Sequence, residues 1–416
     1  MSKKQDIIVV GAGVVGICCA ASLRRDGHHV TLVDKGLPAK STSFGNAGAF
    51  AVTEILPLSE PGILKKVPGW LLDPLGPLAI KWRYLPGLMP WLLRFLAAGR
   101  PAKVQQITQG MHALLARAET DLLTLVQTPA LLSQWHKHGA LTLYDSQKAL
   151  DADNAKWQRK RQHGWACETL TPEALHACAP MLNGQITHAV HTPAWSFVDD
   201  PYLFSKGIAE QAFREGVSWI QSEVSGFLQK EGRVVGVRLA SGSVMHADQV
   251  VVATGVWSGE LAKSLGYNVP LESERGYHVT LPNAGVRLDK FLISAAGGFV
   301  ILPMGNGAIR IAGTVELASK HAPETWARAK VLIGKARQLI GDFNTEGAEF
   351  WMGNRPALPD TLPVISAAPR HPNVTFAFGH GHLGLTLGAT TGQLVANLMA
   401  GNPAGFDYAP YAINRF

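Results

Sequence analysis

Three glycines and one carboxylate near the start of the chain carry the first recognisable chemistry. Gly11, Gly13 and Gly16 stand in the spacing G-x-G-x-x-G, and Asp34 follows 18 positions after the last of them. Each glycine has a physical reason to be there. Gly11 permits a tight turn, Gly13 lets a pyrophosphate approach the backbone, and Gly16 lets a helix lie close to a strand. The helix start at Val14 and Val15 then offers free N–H groups to phosphate oxygens. Asp34, followed by Lys35, is placed to accept hydrogen bonds from a ribose hydroxyl. An isolated glycine triplet is a weak signal, so the surrounding elements matter. Ile7 to Val10 reads as a buried parallel strand, the small residues through Ala20 and Ala21 as a helix, and Val30 to Val33 as a second strand closed by Asp34. The chemistry is that of binding an adenine dinucleotide.

Later segments indicate what the dinucleotide carries. KSTSFGNAGAF follows the second strand and supplies Ser41, Thr42 and Ser43, then Asn46, Ala47 and Gly48. Small and hydroxyl-bearing residues suit close packing against a flat ring and its ribityl chain, which nicotinamide does not require. QVVVAT, ending in Ala253 and Thr254, reads as a further buried strand leading to Gly255 and Trp257. A late strand ending in Ala-Thr-Gly resembles the second nucleotide-contacting strand of flavoprotein oxidoreductases. The preceding run alternates as a small β-meander with turns at Glu231-Gly232 and Ser241-Gly242. In such flavoproteins a residue placed like Val224 meets the adenine through its backbone. Near the C-terminus, Val374 to Phe378 runs into Gly379, His380, Gly381, His382, Leu383 and Gly384, and a helix then passes Thr386 and continues to about Met399. The partial positive charge at that helix start favours negative charge on a reduced flavin.

Taken together, the fingerprint, SFGNAG, RGYHVTL, FWMGNRPALPD and GHGHLGLT resemble the D-amino acid dehydrogenase family of FAD-dependent oxidoreductases, kin of the D-amino acid and glycine oxidases. The resemblance runs over essentially the whole chain. It implies a two-domain flavoenzyme that oxidises the Cα–N bond of an amino acid to an imine, which water hydrolyses. It implies electrons passed to a quinone; an oxidase using oxygen, and a non-catalytic flavin-binding subunit of a larger complex, are the alternatives. FAD is expected to be held without a covalent link, and no metal is implied.

The same resemblance assigns roles. A substrate carboxylate needs a bidentate partner, and Arg355, after Gly353 in GNRPALPD, matches the family's carboxylate-binding arginine. The competing reading is an Arg355–Asp360 pair on a loop. Tyr277 in RGYH matches a position lining the pocket. His278, His380 and His382 have the chemistry to accept an amine proton near neutral pH, with His380 expected to contribute mainly backbone and His382 to face the pocket. The side-chain preference lies in the less alignable insertions, so a cyclic imino acid such as a D-proline derivative stays open.

Composition sets bounds. With 416 residues, 47% hydrophobic and 17% charged, the chain is globular and long enough for about two to three domains. The net charge of +7 suits an anionic surface or substrate. Its basic residues are scattered, and the cluster Lys156 to Arg161 reads as a solvated helix face rather than a nucleic-acid patch. Cys18, Cys19, Cys167 and Cys178 show no C-x-x-C spacing, which argues for a reduced, cytoplasmic chain. No signal peptide fits the N-terminus, whose apolar residues belong to the fingerprint.

Ile63 to Leu96 is rich in Leu, Trp and Pro but has no run of the ~20 apolar residues needed to span a bilayer. Prolines break it, while Trp70, Trp82 and Trp91 beside Lys81, Arg83 and Arg94 suit a segment lying on the cytoplasmic face of the inner membrane. The fold class is therefore α/β. A discontinuous Rossmann-type FAD-binding domain (1–60, 198–262, 350–416) should carry an inserted α+β substrate domain (61–197, 263–349) built on a mostly antiparallel sheet.

Overall fold

The structure, a computed structural model, describes residues 4–60, 73, 75–401 and 405–416. Its first sheet has six strands in the spatial order Ser218–Gln221, His29–Asp34, Asp6–Val10, Gln249–Val252, His371–Phe378, Val364–Ala368. The first five run parallel, and the last returns antiparallel along His371–Phe378. The central strand explains itself: Ile7, Ile8, Val9 and Val10 are all buried, because strands flank it on both edges and apolar layers cover both faces. On one face lies the helix Val14–Arg25, itself covered by the C-terminal helix Gly384–Met399. Cys18 packs against Gly388 and Gly392 of the C-terminal helix, and Cys19 is likewise fully buried as a small apolar side chain. Burial pushes the Cys18 thiol up to about 12 and Cys19 well above its ordinary value.

A second, nine-stranded sheet follows the order Glu349–Ala357, Glu272–Leu281, Ile309–Leu317, Phe299–Pro303, Phe291–Ser294, Ala140–Tyr144, His188–Thr192, Glu168–Leu170, with Leu78–Ile80 pairing Ile309–Leu317 off this path. Its pairings are antiparallel except where Phe291–Ser294 meets Ala140–Tyr144 and where Leu78–Ile80 joins. The helix Ala327–Ile340 backs one face through Leu332, Ala336 and Leu339 against Val279, Leu281 and Ile311. The strand Glu349–Ala357 belongs here by hydrogen bonding, although a boundary at 350 groups it with the nucleotide segments. Its register with Glu272–Leu281 is unbroken from Glu272↔Ala357 to Thr280↔Glu349.

The meander expected before residue 249 forms as Val224–Lys230, Arg233–Leu239 and Val244–His246. The helical stretch over 105–135 divides into Pro101–Leu115, Ala118–Leu125 and Pro129–Leu132, each later start marked by a break in apolar period or a proline. Part of the Leu/Trp/Pro-rich stretch, residues 63–72 and 74 with Trp70, lies outside the described residues. The rest supplies the strand Leu78–Ile80, a 3-10 turn Trp82–Tyr84 and a helix, Leu85–Ala98, begun by Pro86 in the first turn. Trp91 is a correction to the interfacial reading. It is buried, stacks on Phe95 and donates its indole N–H to the Ala357 carbonyl at 3.3 Å.

Candidate active site

A cavity of about 650 Å3 opens at the carboxyl ends of the parallel strands, within the ~300–1,000 Å3 range of ligand clefts. Its floor is the glycine turn. Gly11 has φ +105°, and a Cβ there would stand 2.5 Å from the Ala253 carbonyl oxygen. Gly16 is tighter still: a Cβ would sit 1.8 Å from the Gly11 oxygen. Gly16 is thus a packing residue beneath the cleft, while Gly11, Gly13, Val14 and Val15 line it. The Val14 N–H is taken by Ser43 Oγ at 3.0 Å. The next N–H groups of the first turn have no intrahelical acceptor and suit a pyrophosphate.

Asp34 is anchored from both sides, accepting from the Ala12 N–H (2.7 Å) and the Gly36 N–H (2.8 Å). Each carboxylate oxygen keeps a second lone pair for a ribose hydroxyl. Lys35, Ser41, Thr42, Asn46 and Val224 also line the cavity, as do Ala253, Thr254, Gly255 and Trp257. The arrangement fits an adenine dinucleotide: donors at one helix start, an acceptor one strand away, and a backbone that admits no Cβ.

The 41–51 loop is held on several sides. Thr42 donates to the Asn354 carbonyl at 3.0 Å, and the Asn46 side chain accepts from the Gly48 N–H at 2.8 Å. Buried Arg310 donates to the Asn46 carbonyl at 2.6 Å. Burial brings the Arg310 guanidinium down to about 10, against opposing contributions from Asp200 and Glu349. Thr386, buried in the C-terminal helix, accepts from the Ala51 N–H and donates to the Ala49 carbonyl. Thr386 therefore pins the loop, and Ala47, Gly48, Leu383 and Thr386 do not line the dinucleotide cavity. His278 is buried, stacked on Trp351, and hydrogen-bonds the Gly45 carbonyl at 3.1 Å. Burial first, then Arg310 and Arg355, push it well below its ordinary value, against the Gly45 bond. Its ring is engaged in holding the loop.

Arg355 and Glu274 face each other across adjacent strands of the second sheet, with Nη1 2.7 Å from Oε1. The guanidinium lies over Gly276, where a Cβ would fall 2.3 Å from Nη2. A larger residue at 276 would make the Arg355 head group shift. Gly353, opposite Gly276, shares this face. His382 is an exposed residue and lies within electrostatic reach of both charges. Desolvation is the main cause lowering its pKa; Glu274 and Glu54 oppose this and Arg355 adds to it. Asp360, the alternative partner for Arg355, is instead bound by Arg415 at 2.8 Å.

Two expected residues are not where a pocket needs them. Tyr277 alternates with Gly276 and points to the opposite face of the strand. There it is buried, donating to Glu316 at 2.7 Å and accepting from the Thr325 N–H at 3.0 Å. The structure does not bring it together with Arg355. The His380 ring is buried against Thr391 Oγ1 at 2.8 Å, and desolvation lowers it to about 3. His380, Gly381 and Gly384 line the cavity, but the His380 imidazole is not available to a substrate.

Sequence reasoning missed Glu274, Arg310, Trp351 and the pair formed by Lys160 and Glu54. For Glu274 and Arg310 a signal is present, a charged residue inside a run that reads as a strand, ESERGYHVTL and IRIAGT; Trp351, Lys160 and Glu54 carry no such mark. Lys160 corrects the solvated reading of Lys156 to Arg161. It is buried, bonds Glu54 at 2.7 Å and lies over the Trp157 ring.

Comparison with known proteins identifies the family. A D-amino-acid oxidase of Bradyrhizobium diazoefficiens is 34% identical over 425 residues, covering all of both chains. A D-amino acid dehydrogenase of Paramagnetospirillum magneticum is 30% identical, over 99% of this chain and 98% of that one. Glycine oxidase from Geobacillus kaustophilus shares the fold over the full length of both chains, with a TM-score of 0.78 at 21% identity. The model of the DAO family of FAD dependent oxidoreductases matches residues 6–398, and the chain belongs to that family.

Proposed function

We propose that the protein oxidises the Cα–N bond of D-amino acids, giving an imine that water hydrolyses to a 2-oxo acid and ammonia. A cyclic imino acid of the D-proline type would stop at the cyclic imine. The observation that carries this reading is Arg355, a guanidinium on the same strand as the edge of the dinucleotide cleft, whose Pro356 neighbour lines it. Among the described residues, only Glu274 bonds it. Arg355 would take the substrate carboxylate as a charge-assisted pair. His382, within electrostatic reach of Arg355 and Glu274, stands near the same place. The remaining chemistry belongs to bound FAD, which accepts two electrons and the Cα hydrogen. Names of the two curated relatives support amino-acid oxidation.

For the acceptor we propose a quinone, reached at the cytoplasmic face of the membrane. Supporting this is an exposed row on and before the helix Leu85–Ala98: Trp82, Leu85, Met89 and Leu93, with Lys81, Arg83 and Arg94 also exposed. No helix among the described residues is long and apolar enough to cross a membrane. Oxygen is the second reading, favoured by the relative named an oxidase.

Anaerobic mixing with a panel of D- and L-amino acids, followed by oxygen or a soluble quinone, tests both parts. Bleaching of the flavin by D-enantiomers alone is the expected result. One carboxylate anchor and one hydrogen acceptor orient the Cα–H of a single enantiomer. Reduction by L-amino acids alone overturns the substrate assignment. Reoxidation by oxygen as fast as by quinone makes the protein an oxidase.

A further inference from the structure

The Arg355–Glu274 pair is incompletely closed. Arg355 Nη1 holds Glu274 Oε1, but among the described residues no hydrogen-bond partner engages Glu274 Oε2, Arg355 Nε or Arg355 Nη2. None of these three atoms is sealed from solvent either. The pair therefore presents two cationic donors beside one anionic acceptor, on the face of the strand that includes Gly276 and lies within reach of the exposed His382. A carboxylate beside the anchor has a cost, because it repels the carboxylate that Arg355 is to bind. An orienting role for Glu274 would not require an open oxygen on the same side.

An α-amino acid at neutral pH carries a carboxylate and an ammonium on one carbon, and its charges match this pattern. Resting on the functional reading above, we propose that Glu274 binds the substrate ammonium, so that the Arg355–Glu274 pair reads the zwitterion as a unit. The consequence is selectivity by charge number. A 2-hydroxy acid or a 2-oxo acid can satisfy Arg355 but leaves Glu274 facing an uncharged group, so donors lacking an amine bind weakly. The 2-oxo product has lost the ammonium, and its release is favoured for the same reason. Removing one member of a charge-assisted contact while its partner stays buried is costly, which makes the discrimination measurable.

The test uses the FAD-bound enzyme and its Glu274→Gln and Glu274→Asp variants. D-Alanine and pyruvate are the first probes, replaced by the best D-amino acid of the panel and its own 2-oxo acid. Flavin content and thermal midpoint report folding. For Glu274→Gln, the amino acid concentration giving half-maximal anaerobic flavin reduction should rise about tenfold or more, the scale of a hydrogen bond to a charged group. The 2-oxo acid inhibition constant should change by less than about threefold, since only the contact to Arg355 is read there. Glu274→Asp should recover part of the amino acid affinity. Equal weakening of both ligands shows that Glu274 only orients Arg355, and no change in either shows that it does not act on substrate; both overturn the proposal. If Glu274→Gln fails to hold FAD, the Asp variant decides: equal losses for both ligands again overturn it. Failure of the wild-type enzyme to be reduced by any D-amino acid overturns the functional reading first, and this inference with it.

Discussion

Lys160 donates to Glu54 at 2.7 Å, with its own side chain 2% exposed and that of Glu54 29% exposed. Burial by itself raises the Glu54 carboxyl, but Lys160 and Lys156 outweigh it and bring it down to about 2. Glu54 lies three residues beyond Ala51, which Thr386 pins, so the pair ties the helix Asn154–Gln162 to the loop under the candidate site.

The first prediction follows from that pair. Glu54→Gln leaves the Lys160 ammonium buried without its counter-ion and should destabilise the protein by about 3–5 kcal/mol. Because the folded-state pKa of Glu54 lies below its ordinary value of 4.5, its contribution is fully present above that value. It is lost as pH falls from there towards about 2. Thermal unfolding followed by flavin fluorescence between pH 7 and pH 3 checks both parts. Wild type and variant should converge on acidification, and a constant gap would remove Glu54 from the account.

A second prediction concerns Arg355. Arg355→Ala should lower kcat/KM for the best D-amino acid by the equivalent of about 2–5 kcal/mol, since a charge-assisted contact is lost and Glu274 is left unpaired. Arg355→Lys should recover only part, because an ammonium lacks the planar fork. Flavin content should stay near that of wild type, as Arg355 does not line the dinucleotide cleft. Unchanged kcat/KM in Arg355→Ala ends its assignment as the carboxylate anchor.

Tyr277 separates folding from binding. Its hydroxyl is buried between Glu316 and the Thr325 N–H on the face away from Arg355. Tyr277→Phe should therefore cost about 1–3 kcal/mol of stability by leaving those groups short of a partner. The KM for the amino acid should hardly move. A large rise in KM at unchanged thermal midpoint would return Tyr277 to the pocket.

These cases show what the chain discloses before it folds. The dinucleotide cleft was legible because local constraints act within about thirty residues: Gly11 and Gly16 admit no Cβ, and Asp34 closes the second strand. Arg355 is singled out by its motif. Its partner is not, because Glu274 lies 81 positions away and the two meet only through cross-strand register. Tyr277 failed for a related reason. A residue on a strand has two faces to choose from, and the sequence RGYH does not say which face the helix Ala327–Ile340 covers. Lys160 was misread because a charge run looks solvated until Glu54 arrives from 106 residues away.

Gly16→Ala tests the glycine turn directly. The added methyl would lie 1.8 Å from the Gly11 oxygen, and relief requires moving the backbone that faces the pyrophosphate. The purified variant should show a marked loss of bound FAD, seen as a lower ratio of absorbance at 450 nm to 280 nm (roughly the flavin and protein bands), with overpacking costing about 1–3 kcal/mol of stability. Flavin released by acid from the wild type should leave a colourless pellet, as a non-covalent cofactor requires. Full FAD occupancy in Gly16→Ala would mean that the turn tolerates a shift the packing does not suggest.

The last prediction concerns the surface ahead of the second sheet. Trp82, Leu85, Met89 and Leu93 recur at intervals of three and four residues, and all four are exposed. On the helix, that spacing makes one stripe, while Leu88 and Trp91 face inward against Leu317 and Ala357. Exposed Lys81, Arg83 and Arg94 flank the stripe. An apolar row edged by cations suits a bilayer with anionic headgroups, where each basic residue near the surface adds about 1 kcal/mol of attraction that salt screens. The enzyme should sediment with phosphatidylglycerol vesicles at low salt and detach as salt rises. Trp82→Ser combined with Leu93→Ser should abolish sedimentation while activity with a soluble dye stays unchanged, because both side chains point away from the protein. Retention of vesicle binding by that double variant, or its absence in the wild type at low salt, would leave the stripe with no role at a membrane.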